Sequence, residues 1–174
     1  MAGRIQLREY RDGDFETLCE IDWKCFPQGI AYTPPEMRAF LKGALALVAE
    51  NHAGAVVAFL VARKNRVIAV DVLPRFRGRG MGRALMAECE KRIGAAGARK
   101  LTLETGVKNR AAQALYRALG YTRVRRLPNY YLNGEDAWVM EKELESGKPR
   151  QEAKGKRQKA KVGGAAAPRP LELG

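Results

Sequence analysis

Apolar side chains fall first at alternate positions, Ile5 and Leu7, and then at helical spacing through Phe15, Leu18, Cys19, Trp23 and Phe26. The chain therefore opens as a short strand followed by a helix, with Asp12 or Asp14 able to cap it and Pro27 to end it. Thr33-Pro34-Pro35-Glu36 combines a capping-box spacing with proline at the first helical position, and Met37, Phe40, Leu41 and Ala44 continue it as a second helix. Three apolar runs follow, Leu45 to Ala49, Ala55 to Ala62 and Val67 to Val72, separated by short polar stretches, which predicts an antiparallel meander. A glycine-rich segment after Pro74 leads into a helix with Leu85, Cys89, Ile93 and Ala96 on one face, stopped by Gly97. Lys100 to Thr105 reads as a strand and Arg110 to Leu119 as a helix ended by Gly120. Tyr121 to Leu127 with Ala137 to Glu143 reads as a long-looped hairpin. The order β, α, α, β, β, β, α, β, α, β, β belongs to the α/β class.

At 174 residues the chain has room for one domain of ordinary size. Its net charge is +13, which favours anionic partners. The stretch 147–174 carries eight basic and two acidic side chains with no apolar periodicity, so it is expected to be a disordered basic tail behind a domain at 1–146. The apolar run Ala53 to Ala62 is too short for a bilayer span and Met1 to Asp14 has no signal-like apolar core, so a cytoplasmic protein with no membrane partner is expected. Three cysteines, Cys19, Cys25 and Cys89, form no CxxC pair and fit a reducing compartment. With His52 as the only histidine, a histidine-based triad and a zinc site are both poorly supplied, and no metal is expected.

The segment Arg75-Phe76-Arg77-Gly78-Arg79-Gly80-Met81-Gly82, with Arg83 beyond it, joins a strand to a helix. Such a junction gathers backbone N–H groups and the positive end of a helix dipole, and so suits phosphates. It lacks the lysine and hydroxyl of a P-loop, which argues against a kinase or ATPase. Glu104 lies where a Rossmann ribose-binding acid would stand, but the glycines run G-x-G-x-G, and too little chain follows for the remaining βα units. An RNA-binding Arg-Gly box is disfavoured by the apolar strand before it and the amphipathic helix after it.

Val72-Leu73-Pro74-Arg75-Phe76-Arg77-Gly78-Arg79-Gly80-Met81-Gly82 resembles the acetyl-CoA loop of the GNAT N-acetyltransferase superfamily, whose [QR]-x-x-G-x-[GA] pattern falls on Arg77, Gly80 and Gly82. A second block, Leu103-Glu104, Asn109, Ala114-Leu115-Tyr116, Leu119-Gly120-Tyr121, Asn129-Tyr130-Tyr131 and Glu135-Asp136-Ala137 with Met140, resembles the ribosomal-protein alanine N-acetyltransferases, the RimI-like branch. The resemblance covers roughly residues 3 to 144 and implies a mixed central sheet whose fourth and fifth strands splay apart, with flanking helices and acetyl-CoA as co-substrate in the gap. It implies that the Val72 backbone pairs with the pantetheine and polarises the thioester carbonyl. The N–H groups of Arg77, Gly78, Arg79, Gly80, Met81, Gly82 and Arg83 would hold the pyrophosphate, and Asn109 would touch the pantetheine chain. Tyr32, Tyr130 and Tyr131 are placed around the acceptor groove, although aromatic cover for the sheet edge would account for each equally well. Thr105-Gly106 departs from the Val-Arg common in that branch, which bears on the acceptor peptide rather than on the chemistry.

Acetyl transfer to an amine needs a proton acceptor for the nitrogen and a donor for the departing thiolate. Glu104, at the end of a strand, is the candidate base, and its bland alternative is an ion pair with a nearby Arg or Lys. Tyr116, with a phenol near pKa ~10, is the candidate acid, and its bland alternative is core packing. Cys19 and Cys89 read as small hydrophobes, and Cys25 is less determined but has no histidine placed by sequence to activate it, so direct attack in a ternary complex is expected rather than an acyl-enzyme. The expected activity is acetylation of a primary amine, foremost the N-terminal α-amino group of a (ribosomal) protein. The nearest alternative is a lysine or small-molecule acetyltransferase. A different class is a ribosome- or RNA-binding module that works through the basic tail, and weak RNA contact by that tail is also compatible with the enzyme.

Overall fold

In the computed structural model, residues 5–145 are described, and the tail expected at 147–174 lies outside them, as does the boundary at 146. The strands are β1 (Gln6–Glu9), β2 (Leu45–Glu50), β3 (Val56–Arg63), β4 (Arg66–Val72), β5 (Lys100–Gly106), β6 (Thr122–Leu127) and β7 (Ala137–Glu143). The helices are α1 (Phe15–Cys25), α2 (Pro34–Leu41), α3 (Met81–Ala95) and α4 (Arg110–Ala118). All seven strands form one sheet in the order β1-β2-β3-β4-β5-β7-β6. Every neighbouring pair is antiparallel except β4 and β5. The mixed sheet expected from the resemblance is therefore present.

The centre of the sheet is buried on both faces, which is why β3 reads as an unbroken apolar run, while edge strand β6 is largely exposed. Successive side chains of a strand point to opposite faces, so Phe59 and Val61 pack with Phe15, Leu18, Ile21 and Met37 on the α1–α2 side. Ala58, Leu60 and Ala62 pack with Leu85, Met86 and Cys89 of α3 on the other side, where Tyr116 of α4 also lies. Local signals set the helix ends. Phe26 leaves α1 with φ −131°, as a residue before proline should, and Glu36 reaches back to accept the Thr33 N–H at 2.7 Å.

Asp14 departs from expectation. It stands at the head of α1, but its carboxylate accepts from the Arg8 guanidinium at 2.7 and 2.9 Å and from the Arg11 N–H at 2.8 Å, so it ties β1 to the turn and does not cap the helix. Trp23 also departs: it is 52% exposed, and its indole N–H donates to the Tyr32 carbonyl at 3.0 Å. Among the described residues no helix is long and apolar enough to cross a membrane.

Candidate active site

The site begins with a failure of strand pairing. β4 and β5 run parallel and register only at Arg66 and Thr102, where the Thr102 N–H also donates to the Asn65 carbonyl at 2.9 Å. Beyond that point they part, and a cavity of about 860 Å³ opens between Val67–Val72 and Leu103–Gly106. The splayed fourth and fifth strands are thus as expected.

At the C-terminal end of β4 the chain makes a 3-10 turn over Pro74–Phe76 and enters α3 through two glycines with positive φ, Gly78 at +71° and Gly80 at +83°. Left-handed backbone is inexpensive only for glycine, so the loop depends on glycine at both positions. The first helical hydrogen bond of α3 runs from the Ala84 N–H to the Gly80 carbonyl at 2.9 Å, which leaves the N–H groups of Met81, Gly82 and Arg83 without intrahelical acceptors. Gly82 lets α3 approach α4: a Cβ there would stand 3.0 Å from Leu115 Cδ2. The Arg77 side chain folds back, its Nε donating to the Val72 carbonyl at 3.0 Å, while Arg79 stacks over the Phe76 ring at 5.3 Å.

Glu104, near the end of β5, accepts from Arg66 Nε at 2.9 Å and lies 2.8 Å from Arg66 Nη2. That Nη2 also donates to the Tyr130 hydroxyl at 2.9 Å. Burial pushes the Glu104 carboxyl above the usual range, and the Arg66 charge opposes the shift. Tyr116 is 7% exposed and meets Tyr121 edge-on at 6.0 Å; burial raises its phenol, with Asp71 adding to the effect. Asn109 caps α4, its side-chain oxygen accepting the Ala112 N–H at 3.1 Å, and Gln113 pins the β5–α4 turn through the Gly106 and Val107 carbonyls at 2.9 and 3.0 Å.

Most of the residues singled out from the sequence meet in this one cavity: Val72, Arg77, Gly78, Gly80, Met81, Gly82, Arg83, Glu104, Asn109, Tyr116, Tyr32 and Tyr131 all line it. Arg79 and Tyr130 do not, Tyr130 standing behind Glu104 through Arg66. Glu104 is ion-paired and Tyr116 is packed in the core, and each also lines the cavity. Thr105-Gly106 also finds a local reason: a Cβ at Gly106 would fall 2.5 Å from Glu135 Oε1, which accepts the Lys108 N–H at 3.0 Å.

Sequence reasoning missed four cavity neighbours. Arg66 looked like a turn residue. Cys25, which the sequence left undetermined, is half-buried and donates from Sγ to the Val72 carbonyl at 3.3 Å, while burial pushes its thiol up to about 11. Asp22 and Asp71 are 1% and 2% exposed and both line the cavity. The visible signal was a carboxylate inside the apolar run of β4.

The sequence model of the acetyltransferase (GNAT) family matches residues 15–121. An Arabidopsis thaliana protein named N-alpha-acetyltransferase MAK3 is 43% identical over 67 residues, covering 38% of this chain and 35% of that protein. An N-alpha-acetyltransferase of Sulfurisphaera tokodaii is 37% identical over 79 residues, covering 45% of this chain and 47% of its own length. The chain thus matches less than half the length of either relative. Among solved structures, the ribosomal-protein-S18-alanine N-acetyltransferase of Escherichia coli is similar with TM-score 0.74 at 21% identity, over 86% of this chain and 99% of that one. Ard1 from Thermoplasma volcanium is similar with TM-score 0.74 at 26% identity, over 80% and 97%.

Proposed function

Since the chain belongs to the acetyltransferase (GNAT) family, we propose that it transfers acetyl from acetyl-CoA to a primary amine, foremost the α-amino group of a protein. One observation carries this reading: the unpaired stretch of β4, the free amides heading α3 and the side chains of Glu104 and Tyr116 all open into one cavity. The amides of Met81, Gly82 and Arg83 suit a pyrophosphate, because they stand without acceptors at a helix N-terminus and Arg75, Arg77, Arg79 and Arg83 add positive charge, whereas the expected Arg77 N–H already donates to the Pro74 carbonyl at 3.2 Å. The Val72 backbone, at the edge left open by β5, would pair with the pantetheine. Its carbonyl now accepts from Arg77 and Cys25, so both donors would yield that acceptor. Asn109 lines the same wall, where its amide would meet the pantetheine chain.

Glu104 is the proposed acceptor of a proton from the attacking nitrogen, directly or through water, and Tyr116 the donor to the departing sulfur. Burial raises the Glu104 carboxyl toward the range in which a base works near neutral pH. The Tyr116 phenol is held protonated by its surroundings until a thiolate forms beside it. The N-alpha-acetyltransferase names of the relatives favour a protein N-terminus as acceptor. Tyr32 and Tyr131 would flank it, with Tyr130 setting Arg66 and thereby Glu104. The basic run 147–174 would add weak, salt-sensitive attraction to a ribosome or RNA. Thiol release from acetyl-CoA across α-amino peptides, lysine peptides blocked at the N-terminus and simple amines tests the reading. Release with α-amino peptides foremost is expected, and release with no amine would refute it.

A further inference from the structure

Three oxygens of the Asp22–Asp71 pair, Asp22 Oδ1 and both Asp71 oxygens, are buried and accept a hydrogen bond from no other described residue. The remaining one, Asp22 Oδ2, accepts the Tyr32 N–H at 2.6 Å. Unpaired buried carboxyl oxygens are costly, and proteins that retain them commonly use them. Both residues line the cavity, Asp22 from α1 and Asp71 from β4, beside Tyr32 and Cys25. Resting on the acetyl-transfer reading, we propose that Asp22 and Asp71 together receive the acceptor as an ammonium ion and take the first of the two protons its nitrogen must lose.

The surroundings fix how the pair is charged. Asp22 feels Asp71 and, from α2, Glu36, and it acts in turn on Cys19 of its own helix. Asp71 feels Asp22 and the Arg77 guanidinium, and its charge reaches Cys25, Tyr32 and, from α4, Tyr116. Burial raises both carboxyls, and mutual repulsion raises Asp71 further. The Tyr32 N–H favours the ionised form of Asp22, so the proton of the pair resides on Asp71, which shares it with Asp22. One negative charge remains in the cavity. Glu104 differs, because Arg66 already matches its charge at 2.8 Å.

Converting an ammonium and a thioester into an amide and a thiol breaks the C–S bond, forms a C–N bond and removes two protons from nitrogen. In the first removal an N–H bond breaks and an O–H bond forms on the pair, so the ammonium and the buried carboxylate lose their charges together, which a dry cavity favours. The second proton leaves the nitrogen as the C–N bond forms and goes to Glu104, while Tyr116 supplies the proton that ends on sulfur. The substrate class follows: unhindered primary amines that are cationic at neutral pH, with acceptors carrying a carboxylate beside the amine disfavoured.

Glycinamide is a suitable probe, used with Asp71→Asn and Asp22→Asn. At pH 7 each variant is expected to lose about 10²-fold in kcat/KM for glycinamide with KM for acetyl-CoA unchanged, and the loss should shrink as pH passes the amine's own pKa near ~8. A loss equal at every pH, or none, would overturn the proposal. A second arm needs no turnover. In infrared difference spectra of the CoA-loaded wild-type protein, glycinamide is expected to raise the protonated-carboxyl band, and to leave it unchanged in Asp71→Asn. A wild-type band that stays still or falls would overturn the proposal whatever the acetyl-transfer assay gives, whereas absent thiol release with a rising band would fault the acetyl-transfer reading alone.

Discussion

Glu104 and Tyr116 were legible as chemistry because a carboxylate ending a strand and a tyrosine on a helix matched a known spacing; their surroundings were not. The Arg66–Glu104–Tyr130 chain joins residues 38 and 64 positions from Arg66, a closure that no local pattern encodes. Asp22 and Asp71 were missed for a related reason, since a carboxylate in an apolar stretch reads as a solvent-facing position until the opposing helix is placed. If the assigned roles hold, Glu104→Gln and Tyr116→Phe each lower kcat by roughly 10²- to 10⁴-fold, while isothermal titration shows acetyl-CoA affinity within a few-fold of wild type. Full activity in both would dismiss these two as the proton-transfer pair. Asp71 makes a separate prediction about stability. Its carboxyl leaves the ordinary 3.8 for a much higher value in the folded protein, so over that interval the folded state holds a proton that the unfolded chain has released. Stability from this group therefore falls as pH rises through the interval. Asp71→Asn should remove this group's share of the decline, giving a melting temperature above wild type at pH 8 and a smaller gap at pH 5; a variant less stable than wild type at both would contradict the buried, proton-sharing state of the pair.

At the scale of elements, the order and approximate ends of strands and helices followed from periodicity, proline and glycine, and even the turn chemistry at Thr33-Pro34-Pro35-Glu36 came through. The β4–β5 gap did not come from the pattern, because divergence depends on how each strand is held by its other neighbour. β5 is fully registered with β7 over Lys100–Gly106, and β4 is registered with β3 on either side of a bulge at Ile68, so neither is free to close on the other. It was foreseen only through the family resemblance. The loop that serves the gap is sensitive in two distinguishable ways. Gly80→Val forces a β-branched residue to φ +83°, at a cost of about 1–3 kcal/mol, and should lower the melting temperature with no ligand present. Gly82→Val sits at ordinary φ but would press on Leu115 Cδ2 from 3.0 Å, displacing α4 from α3 where the free amides converge. Its main expected effect is a smaller melting-temperature rise with acetyl-CoA, which stabilises the fold by mass action. An undiminished rise in both variants would separate the loop from acetyl-CoA binding.

Taken whole, the molecule divides its positive charge between a folded domain and the stretch 147–174, where eight of the 32 basic side chains reside. Among the described residues β7 ends at Glu143, and the Leu144 N–H donates to the Arg99 carbonyl at 2.7 Å. Truncation after Ser146 is expected to leave the melting temperature and acetyl-CoA binding unchanged and to reduce any low-salt retention on RNA. A truncated protein that melts early would assign the tail a structural part. Composition alone suggested an anion-binding surface and left the choice between a nucleic-acid module and an enzyme open; it is the cavity, lined by the residues that head α3 and by Glu104 and Tyr116, that favours the enzyme. The most direct test is incubation of the full chain with acetyl-CoA and a panel of peptides bearing free α-amino groups, read by intact-mass spectrometry of the peptides and by thiol release. The account predicts the gain of a single acetyl group, located at the α-amino nitrogen and matched mole for mole by free thiol. Peptides of unchanged mass across the panel, with acetyl-CoA left intact, would contradict it.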